Sequence, residues 1–424
     1  MANTYLTMTQ PSGGSRRKWT WSAWIKKSAI GVNQAICVAY QDSANSTVIN
    51  FESDDEFNFY EYQGAGVVGQ KHISMKARDV NGWYHFMCIW DSENSTADDR
   101  MIIYVNGIRQ TAFQASTNPS INTSTAMNRN GYPVRIGAYN SNNYFNGSMS
   151  HVNFCGGSVL APTVFGETDA TTGEWKIKAD ATFTPGIGGY SILKDGNTIT
   201  DQSTNSNNFS LGGGTLSKTE DCPSNVFATL NPLDSYYYGG TFSNGNCSTV
   251  SGANGYYSPI TSTLGMTPTS GKYYAEVKFD TASTTVYSFI GITGSPITQT
   301  NLNIGGRTYG YAYIYNGQKY NNNSGSSYGN GYVEGDIIGI AVDATNSKIY
   351  FSKNGVWQNS GDPTSGATGT GAAFTISTTP TQGAYFFGCS DDNNGSGTSA
   401  WSWNFGNGYF GTTAVSSAGT NASG

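Results

Sequence analysis

The sequence has few charged residues, and it lacks any apolar segment long enough to cross a membrane as a helix. Charged side chains make up 12% of the 424 residues, against about 25% in an average globular domain. The formal net charge of -6 argues against the basic surface that a duplex nucleic-acid binder needs. No stretch approaches roughly 18 apolar residues, and residues 1–10 lack the basic flank and apolar centre of a signal peptide. We therefore predict a protein that neither binds nucleic acid nor inserts into a membrane.

Cysteine is scarce, and its spacing predicts no zinc site. The six cysteines include no Cys-x-x-Cys pair. Cys37, Cys88 and Cys155 lie in apolar runs, where we predict small buried side chains. Cys222 and Cys247 lie between the two strand-rich halves, and a disulfide between them remains an open alternative.

Histidine is scarcer still. His72, His85 and His151 are the three histidines, spread too widely to predict a metal cage or a catalytic triad. We expect packed or surface imidazoles. No Gly-x-Ser-x-Gly motif lies on a strand-to-helix turn, and the glycine-rich stretches lack a following helix, so phosphate binding is not predicted either.

Aromatic residues and glycine are abundant instead. Aromatic residues make up 13% of the chain, with 28 tyrosines, and there are 54 glycines. Large aromatic side chains can fill a core even where charge is low. Asn, Ser, Thr and Gly separate many short apolar runs, which is typical of strands joined by tight turns. Because no long segment has a 3.6-residue period, we predict an all-β protein with little helix.

Alternation of side chains predicts strands in both halves. Trp19, Trp21 and Ala23 fall on one face of a strand. Asn106-Gly107 supplies residues that tolerate the two positive-φ positions of a type I′ hairpin, and Asn354-Gly355 does the same in the second half. A polar, glycine-rich segment lies between the halves. We predict two β-sandwiches, residues 1–214 and 215–424, joined by a linker rich in Gly, Ser and Asn.

Five segments of the first half occur in a characteristic order. They are WTWSAWIKKS (Trp19–Ser28), RDVNGWYHF (Arg78–Phe86), MIIYVNG (Met101–Gly107), YFNGSMSHVNF (Tyr144–Phe154) and FGETDATTGEWKIK (Phe165–Lys178). Together they resemble the laminin-G-like, concanavalin A-like jelly roll found in phage structural proteins. NVFATLNPL (Asn225–Leu233) resembles the linker that joins such a domain to a following SPRY domain.

The second half contains the motifs of that following domain. GKYYAEV (Gly271–Val277), GDIIGIAVDATNSKIYFSKNGVW (Gly335–Trp357) and NFG (Asn404–Gly406) resemble, in this order, a SPRY (B30.2-like) domain. The two resemblances cover nearly the whole chain. They imply two tandem concanavalin A-like jelly-roll β-sandwiches.

The resemblance also implies a function. Both domains would be binding modules rather than enzymes, although a fold alone does not determine function. We expect a surface-exposed virion protein: a capsid decoration, a fibre or a tail appendage. Its expected partners are other virion proteins of the capsid or tail and, through lectin-like contacts multiplied over many copies, host-surface polysaccharide. We expect a homo-oligomer within the virion and no required cofactor.

The segment Glu52-x-Asp54-x-Glu56 favours the alternative function, a polysaccharide depolymerase. It is similar to the acidic motif of jelly-roll β-glucanases. A retaining glycosidase needs two carboxyl groups about 5–5.5 Å apart, whereas residues i and i+4 of a regular strand are about 13 Å apart. Ser53 and Asp55 are also unsuited to the buried face of a strand. We therefore interpret SDDE as a solvated hairpin turn and expect no enzymatic activity.

Two acidic loops offer oxygen ligands of the kind that calcium prefers. The candidate ligands are Asp91, Asp98, Asp99, Asp391 and Asp392. Neither loop matches a defined calcium-binding consensus, so solvated loops are the simpler interpretation.

Tyrosine clusters supply the candidate binding residues, because rigid aromatic rings provide contact area on glycans and proteins alike. These residues are Tyr236, Tyr237, Tyr238, Tyr311, Tyr313, Tyr315 and Tyr320. In the first three, consecutive along an extended chain, at least one ring should point away from the core. Tyr311, Tyr313 and Tyr315 share one face, and a buried sheet face is the alternative for them.

Overall fold

The chain folds into two units of β-structure, Met1–Val226 and Phe227–Gly424. The computed structural model describes residues 3–64, 66–194, 196, 198–234, 239–252, 257–282, 287–297, 301–391 and 398–416. Within these residues the only helices are 3-10 turns, at Ala97–Asp99, Pro162–Val164, Pro232–Asp234, Ile304–Gly306, Gln358–Ser360 and Gly366–Thr368. The all-β prediction is confirmed. No described helix has the length and apolar character needed to cross a bilayer.

The first unit is built from two large antiparallel sheets. Its strands are β1 Tyr5–Thr9, β2 Lys18–Lys27, β3 Gln34–Asp42, β4 Asn45–Phe51, β5 Glu56–Gln63, β6 Gly66–Lys76, β7 Tyr84–Asp91, β8 Met101–Val105, β9 Ile108–Arg109, β10 Phe113–Thr117, β11 Pro133–Ile136, β12 Gly147–Gly156, β13 Gly166–Thr168, β14 Trp175–Ile177, β15 Tyr190–Ile192 and β16 Ser210–Gly213. One sheet has the order β10-β6-β5-β4-β3-β11-β1-β16 and the other β15-β12-β2-β7-β8-β9, while β13 and β14 form a separate hairpin.

The second unit repeats this plan. Its strands are β17 Thr241–Ser243, β18 Ser248–Val250, β19 Ile260–Thr261, β20 Lys272–Thr281, β21 Ser288–Thr293, β22 Gly310–Ile314, β23 Gln318–Asn321, β24 Ser324–Ser327, β25 Ile337–Asp343, β26 Lys348–Lys353, β27 Val356–Trp357, β28 Phe374–Thr375, β29 Phe386–Asp391, β30 Ala400–Asn404, β31 Tyr409–Phe410 and β32 Thr413–Ala414. The larger sheet has the order β17-β18-β30-β20-β25-β26-β27, with β28 beside β26, and the smaller one β19-β29-β21-β22-β23-β24; β31 and β32 pair with each other.

The core of the first unit lies between the inner faces of its sheets. Trp19, Trp21 and Ala23 point into it together, as the alternation predicts. Trp19 stacks on Trp90 with ring centroids 6.5 Å apart. The other face of β2 is buried too. On that face Ser22 and Trp24 contact His85 of the neighbouring strand β7, and Trp175 of the β13–β14 hairpin stacks on His85 at 6.0 Å. This second burial was not expected from a half-buried strand.

Both predicted hairpins are confirmed. Asn106 and Gly107 have φ angles of 48° and 77° and join β8 to β9, while Asn354 and Gly355 have φ angles of 48° and 79° and join β26 to β27. Positive φ at both central positions is the type I′ geometry whose twist matches that of paired strands.

The boundary between the units falls later than predicted, after Val226 rather than after residue 214. The polar segment before it pairs with the first unit instead of linking the two. β16 forms the edge of the larger sheet beside β1. Asp221 then accepts hydrogen bonds from Lys26 Nζ at 2.5 Å and from Trp83 Nε1 at 2.9 Å. A buried carboxylate with two donors fixes this segment, and composition alone did not reveal it.

All six cysteines are free thiols, so the alternative of a disulfide between Cys222 and Cys247 is not realised. Cys37, Cys88 and Cys155 are buried, as predicted from their apolar surroundings.

Replacing Trp19 with alanine tests the packing of the first core. The ring is fully buried and its Nε1 donates to Thr125 Oγ1 at 3.0 Å. We expect Trp19→Ala to lower the free energy of unfolding by about 3–5 kcal/mol, measured by urea denaturation followed by circular dichroism. Ile108→Ala is the control, because Ile108 is 69% exposed and should change stability by less than about 0.5 kcal/mol. Equal effects of both variants would contradict the packing.

Candidate functional site

The acidic segment of the first unit forms a turn between β4 and β5, as predicted, but this turn is not solvated. The Glu52 backbone N–H donates to the Glu56 carbonyl at 3.0 Å, and the Asp55 N–H donates to the Glu52 carbonyl at 3.0 Å. Asp55 has a φ of 70°, a left-handed conformation that Asp tolerates better than most residues. Asp55 and Glu56 are both buried, which corrects the interpretation of a wholly exposed turn. We call Glu52–Glu56 the acidic hairpin.

A buried ion pair holds the acidic hairpin in place. Lys27 Nζ lies 2.9 Å from Asp55 Oδ1, and Arg78 Nε lies 3.0 Å from Asp55 Oδ2. The Gly31 N–H donates to Oδ1 at 2.8 Å. Burial alone would raise the pKa of Asp55, but the hydrogen bonds from Lys27, Gly31 and Arg78 outweigh it and hold that pKa below its usual value. The carboxylate is therefore charged and fully paired.

Glu52 is engaged in a different network from its neighbours. Its Oε1 accepts hydrogen bonds from Asn50 Nδ2 and Asn58 Nδ2, both at 2.9 Å. These asparagines face each other across β4 and β5. The Glu52 side chain thus contacts the sheet. The carboxylates of Glu52, Asp54 and Glu56 therefore do not lie along one strand, as they would in a glucanase-like arrangement.

Asp54 and Glu56 meet His72, which comes from β6. His72 Nε2 lies 3.3 Å from Glu56 Oε2 and 3.9 Å from Asp54 Oδ1. Within the described residues these three form the one group of His, Cys, Asp or Glu side chains whose ligand atoms lie close enough to hold a metal ion, all within 4.8 Å of one another. His72, expected as a packed or surface imidazole, thus belongs to a charged cluster that its sequence neighbours did not indicate.

An exposed aromatic surface lies on the larger sheet of the second unit. Asn404, Glu276, Gly339, Ser352 and Trp357 occupy successive register positions across β30, β20, β25, β26 and β27. We call these five positions the outer-face row. Side chains at opposed positions of neighbouring strands share a face of the sheet.

The tyrosine that completes this surface covers the glycine of the row. Tyr274 is 51% exposed and its ring lies 6.3 Å from that of Trp357, edge to face. Its hydroxyl donates to Glu276 Oε1 at 2.9 Å. A Cβ atom at Gly339 would stand 2.7 Å from the Tyr274 hydroxyl oxygen, so glycine is needed for the ring to lie there. Tyr274 was not among the predicted binding residues. The alternation of GKYYAEVKF nevertheless places Tyr274 on the face of the strand opposite to that of Ala275, and therefore away from the core.

The tyrosines predicted to bind a ligand differ in their burial. Tyr311 and Tyr313 lie in the second core, and the Tyr313 hydroxyl donates to the Asn330 carbonyl. Because Tyr311 is only 7% exposed and Tyr313 is 0% exposed, these two rings cannot meet a ligand. This corrects their assignment as binding residues and confirms the alternative of a buried face.

Tyr315 and Tyr320 are only partly buried. Tyr315 packs edge to face on the exposed Tyr287 at 5.6 Å, and Tyr320 packs on Phe289 at 5.4 Å. Tyr236, Tyr237 and Tyr238 lie outside the described residues. Their assignment as binding residues stays a prediction.

The first calcium candidates are paired with cations of the protein. Asp91 Oδ1 lies 3.5 Å from Lys18 Nζ, and Asp99 Oδ1 lies 2.7 Å from Arg109. In the same loop, the Asp98 carboxylate accepts from the Asn118 amide at 2.6 Å, and its backbone carbonyl accepts from Arg109 at 2.9 Å. Lys18 and Arg109 thus supply the positive charge that a calcium ion would otherwise bring.

The remaining calcium candidate that the structure describes, Asp391, is buried at the end of β29. Its Oδ2 accepts from Ser251 Oγ at 2.6 Å, and burial raises its pKa to about 6. Asp392 lies outside the described residues. None of the described calcium candidates joins a group of three ligands.

His85 is a neutral, packed imidazole. Trp175 Nε1 lies 3.2 Å from its Nδ1, and Ser22 Oγ lies 2.8 Å from its Nε2. Because an indole N–H can only donate, Nδ1 accepts and the ring proton resides on Nε2, which donates to Ser22. Ser22 is therefore not activated as a nucleophile. Burial lowers the pKa of His85 to about 3.

A small cleft in the first unit has a volume of about 190 Å³ and is bordered by Tyr5, Trp83, Phe145, Leu193 and Asp221, among others. It is smaller than the roughly 300–1,000 Å³ of most ligand pockets. Its buried acid, Asp221, is already paired with Lys26.

Two family models match the chain, one in each unit. The concanavalin A-like lectin/glucanases superfamily, of the laminin G type, matches residues 1–164, and the SPRY domain matches residues 272–390. The first unit contains a concanavalin A-like domain, and the second contains a SPRY domain. The acidic hairpin therefore belongs to the concanavalin A-like domain, and the outer-face row spans the matched SPRY strands and the β30 strand that follows them.

Solved structures are similar to parts of the chain. The SPRY domain of human HERC1 is 18% identical, with 42% of this chain and 98% of that chain covered and a TM-score of 0.32. A heptameric SAP-like pentraxin from Limulus polyphemus is 18% identical, with 36% of this chain and 69% of that chain covered and a TM-score of 0.25. No curated protein sequence matches significantly.

The low pKa of His85 predicts acid sensitivity of the concanavalin A-like domain. In the unfolded chain the pKa of His85 returns to about 6.5. Below pH 6.5 the imidazole is therefore protonated in the unfolded state but stays neutral in the folded state. Stability should fall progressively from pH 6.5 toward pH 3. We expect His85→Gln, which cannot titrate, to reduce this slope, measured by urea denaturation at several pH values between 4 and 7. Identical slopes in both proteins would show that folding does not lower the pKa of His85.

Proposed function

We propose that this chain is a non-enzymatic virion protein of a phage, which displays its two domains on the particle surface and binds polysaccharide through the outer-face row. Two observations support the virion role. The order of the sequence segments resembles that of phage structural proteins, and the two domain families confirmed above stand in that order. The low charge and the many polar, uncharged side chains suit an exposed display protein.

The observation that carries the polysaccharide proposal is the pairing of Tyr274 and Trp357 beside Glu276 and Asn404. Aromatic rings provide apolar faces for the C–H faces of a sugar, while a carboxylate and an amide can bind its hydroxyl groups. Asn404 Nδ2 already donates to Glu276 Oε2 at 3.3 Å, so the polar groups are held next to the rings. Single contacts of this kind are weak, and many copies on one particle would multiply them.

The arrangement of the acidic hairpin supports a role without catalysis. Asp55 is neutralised by Lys27 and Arg78, and Glu52 accepts from two asparagines. A glycosidase acid needs a carboxyl whose proton is available to the leaving group. The carboxylates of Asp55 and Glu52 are instead engaged with the protein itself.

Binding to an array of bacterial surface polysaccharides tests the outer-face row. For any polysaccharide that the purified chain retains, we expect Tyr274→Ala to weaken binding about tenfold, equivalent to about 1.4 kcal/mol, as aromatic residues at the centre of an interface often do. Tyr287→Ala is the control, since Tyr287 is also an exposed tyrosine next to another ring. If Tyr287→Ala abolished binding and Tyr274→Ala did not, the site would lie at the Tyr287–Tyr315 pair instead.

The same polysaccharides distinguish binding from the depolymerase alternative. We expect no release of reducing sugar over prolonged incubation. Release that disappears in Glu52→Gln would establish the enzyme and overturn the proposal.

The virion role is tested on assembled particles. We expect an antibody against the chain to label intact particles purified by density gradient, and chemical cross-linking to join it to capsid or tail proteins. A monodisperse monomer that is absent from particles would contradict this role.

A further inference from the structure

We propose that Asp54, Glu56 and His72 of the concanavalin A-like domain form a binding site for a divalent transition metal, with zinc as the test ion. The site lies in a different domain from the outer-face row and uses different residues, so zinc binding does not depend on the virion or polysaccharide roles. It follows from the geometry of three side chains that the turn of the acidic hairpin brings to β6.

The central observation is a contact between two polar atoms that is not a hydrogen bond. Glu56 Oε2 and His72 Nε2 lie 3.3 Å apart, yet both are buried and neither has a hydrogen-bond partner among the described residues. The Glu56 side chain is only 1% exposed. Leaving such atoms without a partner is costly. A metal ion between the two would satisfy both at once.

The other oxygen of Glu56 shows why Oε2 is the one left over. Lys76 Nζ and Gln114 Nε2 each lie 3.3 Å from Oε1. These two contacts orient the carboxylate. Its Oε1 faces the ammonium group of Lys76 and the amide of Gln114, while its Oε2 faces His72. Partners that hold a ligand in place in this way are a regular feature of metal sites.

The distances suit a tetrahedral ion. Four ligands about 2.0–2.1 Å from zinc lie about 3.3–3.4 Å from one another. The Glu56–His72 distance of 3.3 Å agrees with this edge, and the Asp54–His72 distance of 3.9 Å is slightly longer. The three ligand atoms all lie within 4.8 Å of one another, and the Asp54 side chain, 43% exposed on the turn, can move closer to the other two. The three protein ligands would leave a fourth position for water.

The backbone places these ligands before any metal arrives. The register between β5 and β6 shifts between Glu56 and Asn58, which face Lys76 and His72 respectively. Such a bulge changes the direction of side chains on the affected strand. On the other side, the ion pair of Asp55 with Lys27 fixes the turn that carries Asp54. A preorganised site loses less conformational entropy on binding.

The ligand types select the class of metal. Calcium and magnesium prefer ligand sets made entirely of oxygen, whereas one imidazole with two carboxylates suits zinc and its neighbours in the first transition row. The ionised carboxylates and neutral imidazole would together carry two negative charges, which the ion balances. Lys76 Nζ contacts the other oxygen of Glu56, Oε1, and donates to the Asp54 carbonyl at 3.1 Å.

Zinc binding by the full chain tests the proposal. All proteins carry Cys222→Ser, because Cys222 is the one cysteine that is not buried and could bind zinc by itself. After treatment with EDTA and dialysis, we expect isothermal titration calorimetry with zinc chloride to show one equivalent per chain, and calcium chloride to show none. His72→Gln and Glu56→Gln should each lower the zinc affinity at least tenfold.

Two matched variants test whether the loss of any histidine or carboxylate would lower the zinc affinity. His151→Asn and Glu167→Gln replace a histidine and a carboxylate elsewhere in the first unit, and both should bind zinc as the parent protein does. Circular dichroism and thermal melting without metal verify that each variant is folded. Cobalt bound in place of zinc should show no thiolate charge-transfer band. If the parent protein bound no zinc, or if His72→Gln bound it equally well, the contact would be an ion pair of a protonated His72 and the proposal would be wrong.

Discussion

The alternation of side chains along each strand is the constraint on which the rest of the structure depends. In both units the inner faces carry large aromatic rings, such as Trp19 and Trp90 in one and Trp401 and Trp403 in the other. Because those faces must stay away from water, every polar group that could serve a ligand is confined to the outer faces, the turns and the edges. The acidic hairpin and the outer-face row both occupy such places.

Charge is rare in this chain, and the buried carboxylate of Asp55 is paired with two cations. A lone buried carboxylate would be strongly destabilising, but Asp55 has Lys27 and Arg78 within hydrogen-bonding distance, and Lys27 also lies 4.4 Å from the centre of the Phe51 ring. The pair connects β2 of one sheet to the β4–β5 turn of the other. It therefore fixes the turn relative to the core, which in turn determines where Asp54 and Glu56 can point.

Local patterns in the sequence predicted local structure well and partnerships across the fold poorly. The positive φ angles of Asn106 and Asn354 follow from the residues themselves, and so does the inward face of Trp19 and Trp21. The burial of Asp55 does not, because it depends on Lys27, which is 28 positions away in sequence. The contact between His72 and Glu56 requires a register shift between β5 and β6, which the alternation of side chains does not reveal. The position of Tyr274 depends on the absence of a side chain at Gly339, on the neighbouring strand β25.

The two uses suggested for the acidic hairpin exclude each other. A retaining glycosidase would need Glu56 to face a sugar with one free carboxyl oxygen and Glu52 to supply or accept a proton. Here Glu52 Oε1 is held by two asparagine amides, and the free oxygen of Glu56 faces an imidazole instead of open solvent. An oxygen directed at His72 inside the protein can bind a metal ion, but it cannot reach an anomeric carbon. The same hydrogen bonds that make the turn rigid thus favour metal binding and count against hydrolysis, even though both uses call for the same residue types in the sequence.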